Sequence, residues 1–155
     1  MINLIYLIGA LVIFGADRLS KLWVISNAEL GEVFARFGKA FSFMYVQNRG
    51  AAFSMLSGRL GLLSIISILF CIGVVVYWFV KKPKDRLLCS ALAMMAAGAL
   101  GNAVDRVMYG YVVDFIKTEF IDFPVFNIAD IAITVGAALI VISVCMEEKK
   151  DGGNK

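Results

Sequence analysis

Four long apolar runs divide the chain into candidate spans and the connections between them. The first, Ile2 to Ser26, is apolar through Ala16 and keeps a helical pattern beyond it at Leu19, Leu22, Trp23 and Ile25. Gly61 to Val80 is 20 residues long and uncharged, Leu87 to about Val104 is rich in small residues, and Ile128 to Met146 closes the series. A helix that crosses a bilayer needs roughly 20 apolar residues. The pattern therefore predicts an all-α membrane protein with four transmembrane helices, at about 2–26, 61–80, 87–104 and 128–146, in a single domain over residues 1–155. The polar end, EEKKDGGNK at 147–155, reads as a disordered tail.

The first run has small residues at Gly15-Ala16, as a secretory leader would, but no Lys or Arg precedes it. A leader has a positive n-region, so an uncleaved helix is expected. In the third run Ala93, Ala97 and Gly101 recur every four residues, a face suited to close helix packing.

The connections are unequal. From Asn27 to Gly58 the chain is less apolar, and Phe41 to Gln47 alternates so that Phe41, Phe43 and Tyr45 share one side. That period of two predicts a short strand with an aromatic face suited to a membrane surface. Asn48-Arg-Gly-Ala-Ala-Phe53 follows, where Gly50 permits a tight turn and close backbone approach. Lys81 to Arg86 holds four basic residues in six, the mark of a cytoplasmic loop. By parity, the first and third helices then end outside and the fourth begins there, so Asp17, Asn102, Asp105 and Asn127 all fall at one membrane face. Tyr111 to Ile116 and Phe120 to Phe126 are apolar and aromatic, broken by Pro124, and read as extended chain at the interface.

Composition agrees with the membrane reading and narrows the chemistry. Hydrophobic residues make up 61% and charged residues 17%, against roughly 45 to 50% apolar in soluble domains. The net charge of +3 is scattered, without the basic stripe of a nucleic-acid binder. Histidine is absent, which excludes Ser-His-Asp, Cys-His and HExxH chemistry. Cys71, Cys89 and Cys145 lie in or at the edge of apolar runs, without metal-ligand spacing, and read as packing residues.

The candidate chemistry lies between Gly98 and Asp130. Asp105, Arg106, Asp114 and Asp130, with Asn102 and Asn127, fall at or between the ends of two apolar runs. Ionisable groups there are functional-site candidates. Asp114 has apolar neighbours and Asp130 falls in the first turn of the last helix. Two carboxylates brought together in such a setting share a proton, one acting as base toward water and the other as acid toward a scissile carbonyl. Simpler readings exist for each residue. Asn127 and Asp130 fit a helix cap, Asp105 and Arg106 an ion pair, and Asp114 a partner for Arg106 or Lys117. Asp17 and Lys21 lie four apart on one helix face, so they can pair, with Lys21 either snorkelling to headgroups or serving the site. The sum of these polar groups at one edge of an apolar bundle exceeds what capping requires.

Asp17-Arg-Leu-Ser-Lys21, Asn48-Arg-Gly-Ala-Ala-Phe53, Gly98-Ala-Leu-Gly-Asn-Ala-Val-Asp-Arg106, Val112-Val-Asp-Phe115 and Phe126-Asn-Ile-Ala-Asp130 resemble, in order and spacing, the motifs of bacterial lipoprotein signal peptidase, also called signal peptidase II. The resemblance implies an aspartyl endopeptidase of the bacterial cytoplasmic (inner) membrane that removes the signal peptide from diacylglyceryl-modified prolipoproteins, cutting just before the lipidated cysteine. By motif, Asp114 and Asp130 are the implied catalytic pair. Asn48, Asn102, Arg106 and Asn127 are implied to bind substrate, Asp105 to orient Asn102 and Arg106, and Asp17, Lys21 and Gly50 to support the site. The family further implies an extracytoplasmic β-cradle, a surface helix over the site, both termini cytoplasmic and no metal or cofactor. Membrane lipids as partners, a monomer and inhibition by globomycin-type cyclic peptides are also expected. Arg18 stands where the family often has glutamine, off the Asp17 to Lys21 face, and the segment between the two aspartates is somewhat short.

Two other classes compete. A serine/lysine protease would use Ser20 and Lys21, but adjacent helical residues point apart. A proton-coupled transporter would place its acids near mid-bilayer in repeated, broken helices, whereas these cluster at one end and no repeat is visible.

Overall fold

A computed structural model describes residues 2–50 and 59–152. Four helices and three strands follow in the order α1 (Ile2–Asn27), β1 (Val33–Phe37), β2 (Phe41–Asn48), α2 (Leu60–Lys81), α3 (Arg86–Tyr109), β3 (Val112–Thr118) and α4 (Ile128–Gly152). Among the described residues three helices, α2, α3 and α4, are long and apolar enough to cross a membrane. In its most apolar window α3 buries 44% of its residues, against 17% for α2 and for α4. It is the central helix, packed on α1, α2 and α4 alike. Its small residues make that possible: Ala91, Ala97, Gly98, Ala99 and Gly101 are buried.

α3 runs five residues past its expected end at Val104, to Tyr109. Gly110 stops it by taking the left-handed conformation (φ 72°) while its N–H donates to the Arg106 carbonyl, a backbone state that glycine enters without steric penalty. Asp105 and Arg106 are thereby fixed on a helix. α4 likewise extends to Gly152, so residues 147–152 of the expected disordered tail continue the last helix.

The three strands form one antiparallel sheet in the order β1-β2-β3. β2 matches the expected strand, but its strict alternation fails. The pairing with β3 shifts register between Phe43 and Val46; Phe41 is exposed, while Tyr45 is buried with Phe43 packed against the same core. Tyr45 then packs with Val24 of α1 and Val113 and Phe115 of β3 in a small core joining sheet to helices. The chain from 120 to 126 is irregular apart from one bridge between Phe126 and Ile116. Of the expected surface helix and the Asn48 to Phe53 motif, residues 51–58 lie outside the described residues. Cys71, Cys89 and Cys145 are free thiols.

Candidate active site

The site is assembled where α1, α3, α4 and β3 meet, beside the end of β2. Antiparallel pairing sets Val46 opposite Asp114 and Asn48 opposite Val112, so the end of β2 lies against the strand that carries Asp114. Asn48 Nδ2 donates to Asp114 Oδ2 at 2.9 Å, and Asn127 Nδ2 donates to Asp114 Oδ1 at 2.6 Å. The chain turns at once after Asn48, whose Oδ1 accepts from the Gly50 N–H at 2.9 Å.

Asn127 and Asp130 have two uses. Asn127 Oδ1 accepts from the Asp130 N–H at 2.9 Å and Asp130 Oδ2 accepts from the Asn127 N–H at 3.2 Å, a reciprocal cap on the first turn of α4. The remaining atoms face the cluster: Asn127 Nδ2 reaches Asp114 and Asn102 Oδ1, and Asp130 Oδ1 accepts from Asn102 Nδ2 at 2.8 Å. The capping reading is therefore met, and the opposite edges of the same side chains face Asp114 and Asn102.

Two asparagines thus bridge the carboxylates, Asn127 on Asp114 and Asn102 on Asp130, joined to each other at 3.1 Å. Lys21 holds this bridge from behind. Its ammonium is wholly buried and lies 2.9 Å from Asp17 Oδ2, 3.0 Å from Asp105 Oδ2 and 2.9 Å from Asn102 Oδ1. Lys21 therefore does not snorkel, because three acceptors replace its water. It also fixes which way the Asn102 amide points: the oxygen meets Lys21, so the nitrogen must meet Asp130. Asp17 ties α1 to α4 by accepting from the Ala129 N–H at 2.9 Å. Gly101 leaves the space for that carboxylate, since a Cβ there would stand 2.5 Å from Asp17 Oδ2.

The simpler ion-pair readings find no close salt bridge to Arg106 among the described residues, although the charges of Asp114 and Asp105 act on it. Asp105 pairs with Arg18 and Lys21 and accepts from the Val113 N–H at 3.1 Å. Among the described residues it makes no hydrogen bond to Arg106, and it meets Asn102 only through Lys21. Asp114 is bound by amides, and Lys117 pairs instead with Glu119. Arg106 reaches the Gly50 carbonyl at 3.4 Å, and its buried Nε has no partner among the described residues. Ser20 Oγ donates to the Asp17 carbonyl of its own helix, away from Lys21's partners.

Arg18 was set aside on sequence grounds because it lies off the Asp17 to Lys21 face. It nevertheless pairs with Asp105 and rests over the Tyr109 ring, 5.9 Å from its centre. The partner sits on α3, so no spacing within α1 announces the contact. Its only signal was a second cation at the polar end of a membrane helix.

Electrostatics act on the Asp114 carboxyl. Burial, and after it the charge of Asp130, push the Asp114 carboxyl up to about 7 although two asparagine amides oppose the rise. Near neutral pH the pair can therefore keep a proton on Asp114. Asn102, Arg106 and Asp130 open onto a cavity of about 540 Å3 that continues between the helices past Leu63 and Ser67 of α2 and Thr134 of α4. Among the described residues no group of three cysteines or acids is arranged to ligate a metal.

A helical membrane protein with a polar cluster sunk into one end of its bundle is the class that fold and site define. The family model described as signal peptidase II matches residues 9–146, and the chain belongs to that family. It is 40% identical over 147 residues to the lipoprotein signal peptidase of Latilactobacillus sakei, covering 94% of this chain and 97% of that one. The enzyme of the same name from Clostridium novyi is 38% identical, over 90% and 97% of the respective chains. A solved structure titled as a bacterial membrane enzyme superposes with a TM-score of 0.86 at 33% identity, covering 99% of this chain and 90% of that one.

Proposed function

We propose that the protein is an aspartic endopeptidase of the bacterial cytoplasmic membrane that removes signal peptides from diacylglyceryl-modified prolipoproteins, cutting before the lipidated cysteine. The observation that carries this reading is the linking of Asp114 to Asp130 through Asn127 and Asn102, with Asp130 opening onto an apolar cavity between helices. Membership of the signal peptidase II family and the names of the relatives supply the substrate class.

Asp130 takes a proton from water as the water oxygen adds to the scissile carbonyl carbon, and Asp114, carrying the shared proton, donates it to the carbonyl oxygen. Collapse of the tetrahedral intermediate then returns a proton through the pair to the departing nitrogen. Asn48 and Asn127 hold Asp114 for this transfer, and Asn102 holds Asp130. The Arg106 guanidinium has a donor left to take a substrate carbonyl. A lipid-modified cysteine keeps its acyl chains in the bilayer, so its peptide bond must enter sideways between helices, which suits a cavity walled by α2, α3 and α4. In this reading α1 is the fourth span, the carboxylates lie near the extracytoplasmic face, both termini are cytoplasmic and the monomer suffices. A globomycin-type cyclic peptide would compete for the same cavity.

The test is cleavage of a diacylglyceryl-modified prolipoprotein by the purified protein, with and without a chelator, beside Asp114→Asn and Asp130→Asn. Cleavage that resists the chelator and disappears in both variants, with the fold intact by circular dichroism, is expected. Turnover at the parent rate by either variant would end the assignment.

A further inference from the structure

A second cavity lies at the opposite end of the bundle and plays no part in the proposed chemistry. It measures about 690 Å3 and is walled by Tyr6 and Leu7 of α1, Val75 and Trp78 of α2 and Ala93 of α3, with Lys82 and Lys84 at its rim. That volume is within the roughly 300 to 1,000 Å3 of small-molecule sites. Asp85 caps the first turn of α3, 20 residues before Asp105, which along a helix sets the two ends about 30 Å apart.

The rim is cationic. Neither Lys82 nor Lys84 has an ion pair among the described residues. Asp85, the acid between them and Arg86, accepts from the Leu87 and Leu88 N–H groups and from Ser143 of α4. Lys82 is also the one described non-glycine residue with positive φ, 48°, where it ends α2 with its N–H on the Trp78 carbonyl. Glycine is the residue that position ordinarily favours. Keeping a lysine there accepts backbone strain, and strained positions point to function.

An apolar cleft between helices that ends in lysines at headgroup level matches one ligand by charge and by shape. We propose that it binds an anionic glycerophospholipid, the phosphate held by Lys82 and Lys84 and an acyl chain laid against Tyr6, Leu7, Val75 and Trp78. Basic pockets between spans on the cytoplasmic side select anionic headgroups in this way.

Trp78 reports occupancy directly. The chain has two tryptophans, so Trp23→Phe leaves Trp78 as the sole fluorophore in the full-length protein in nanodiscs. Phosphatidylglycerol with brominated acyl chains should quench it at about 30-fold lower mole fraction than brominated phosphatidylcholine, the scale that two surface lysines supply. In the same background Lys82→Gln with Lys84→Gln should bring the two lipids level. Lys81→Gln with Arg86→Gln, which removes the same charge from residues off the cavity wall, should keep most of the preference. Equal quenching by both lipids in the parent, or a preference that survives Lys82→Gln with Lys84→Gln, would overturn the site. Equal loss in the two double variants would also overturn it, as a diffuse charge effect.

Discussion

At one end of the bundle the charges are buried and tied together; at the other the basic side chains are exposed and form no ion pair among the described residues. Asp17, Lys21, Asp105 and Asp114 are each at most 1% exposed, and each has a partner from another element. Lys81, Lys82, Lys84 and Arg86 all stand exposed in a single loop or at its edges. Removing an ion from water costs several kcal/mol unless its partners are well placed, so the first arrangement requires α1, α3, α4 and β3 to converge. The second requires only a place in the sequence. Buried charge marks a site whose geometry several elements must hold at once.

Substitutions at the two ends should differ accordingly. The largest contrast is in activity: Asp114→Asn and Asp130→Asn abolish cleavage of a lipidated prolipoprotein, whereas Lys82→Gln with Lys84→Gln leaves the basal rate in detergent unchanged. Next comes stability. Lys21→Met keeps much of the side-chain volume but strands Asp17 and Asp105, and should cost about 3 to 5 kcal/mol in unfolding; loss of under about 1 kcal/mol would mean that water has replaced the ammonium.

The carboxyl pair adds a dependence on pH. The native state holds the Asp114 proton up to about 7, against an ordinary value of 3.8, so it binds that proton more tightly than the unfolded chain does. The contribution of Asp114 to stability is therefore complete below about pH 4 and is lost as pH rises toward 7, by up to roughly 4 kcal/mol. Thermal unfolding of the parent should weaken over that interval relative to Asp114→Asn; parallel curves would refute the raised value. Cleavage should also decline above about pH 7, as Asp114 gives up the proton it must donate. The smallest effect belongs to the exposed end, where Lys82→Gly relieves the left-handed backbone and should stabilise by about 0.5 to 1 kcal/mol, readable as a small rise in Tm.

Much of this was visible before any fold. The helices were legible because their apolar runs are long, and Asn102, Asp114, Asn127 and Asp130 stood out as polar residues at or between the ends of such runs, whereas Asn48 was named only by the family resemblance and Lys21 was left open between the headgroups and the site. Other features were not. The length of α3 turned on one left-handed glycine, Gly110. The register shift in β2 between Phe43 and Val46 is set by its pairing with β3, which period-two alternation within β2 does not encode. Arg18 was passed over because the helical-wheel argument compares residues on one helix, and its partner belongs to another.

The sequence by itself determined that this is a membrane-embedded chain and that its acids, asparagines and lysine gather toward one end, because hydrocarbon tolerates only apolar runs and polar residues must collect where those runs stop. Its motifs also placed it by resemblance in the signal peptidase II family, to which the comparisons assign it. Only the tertiary structure decided which atoms meet. The Asn102 amide is aimed at Asp130 because Lys21 claims its oxygen, and Lys21 is in reach because Gly101 admits the Asp17 carboxylate beside it. Hydrogen bonds and ion pairs depend on ångström distances between elements far apart in the chain, and those distances exist only once the helices have packed.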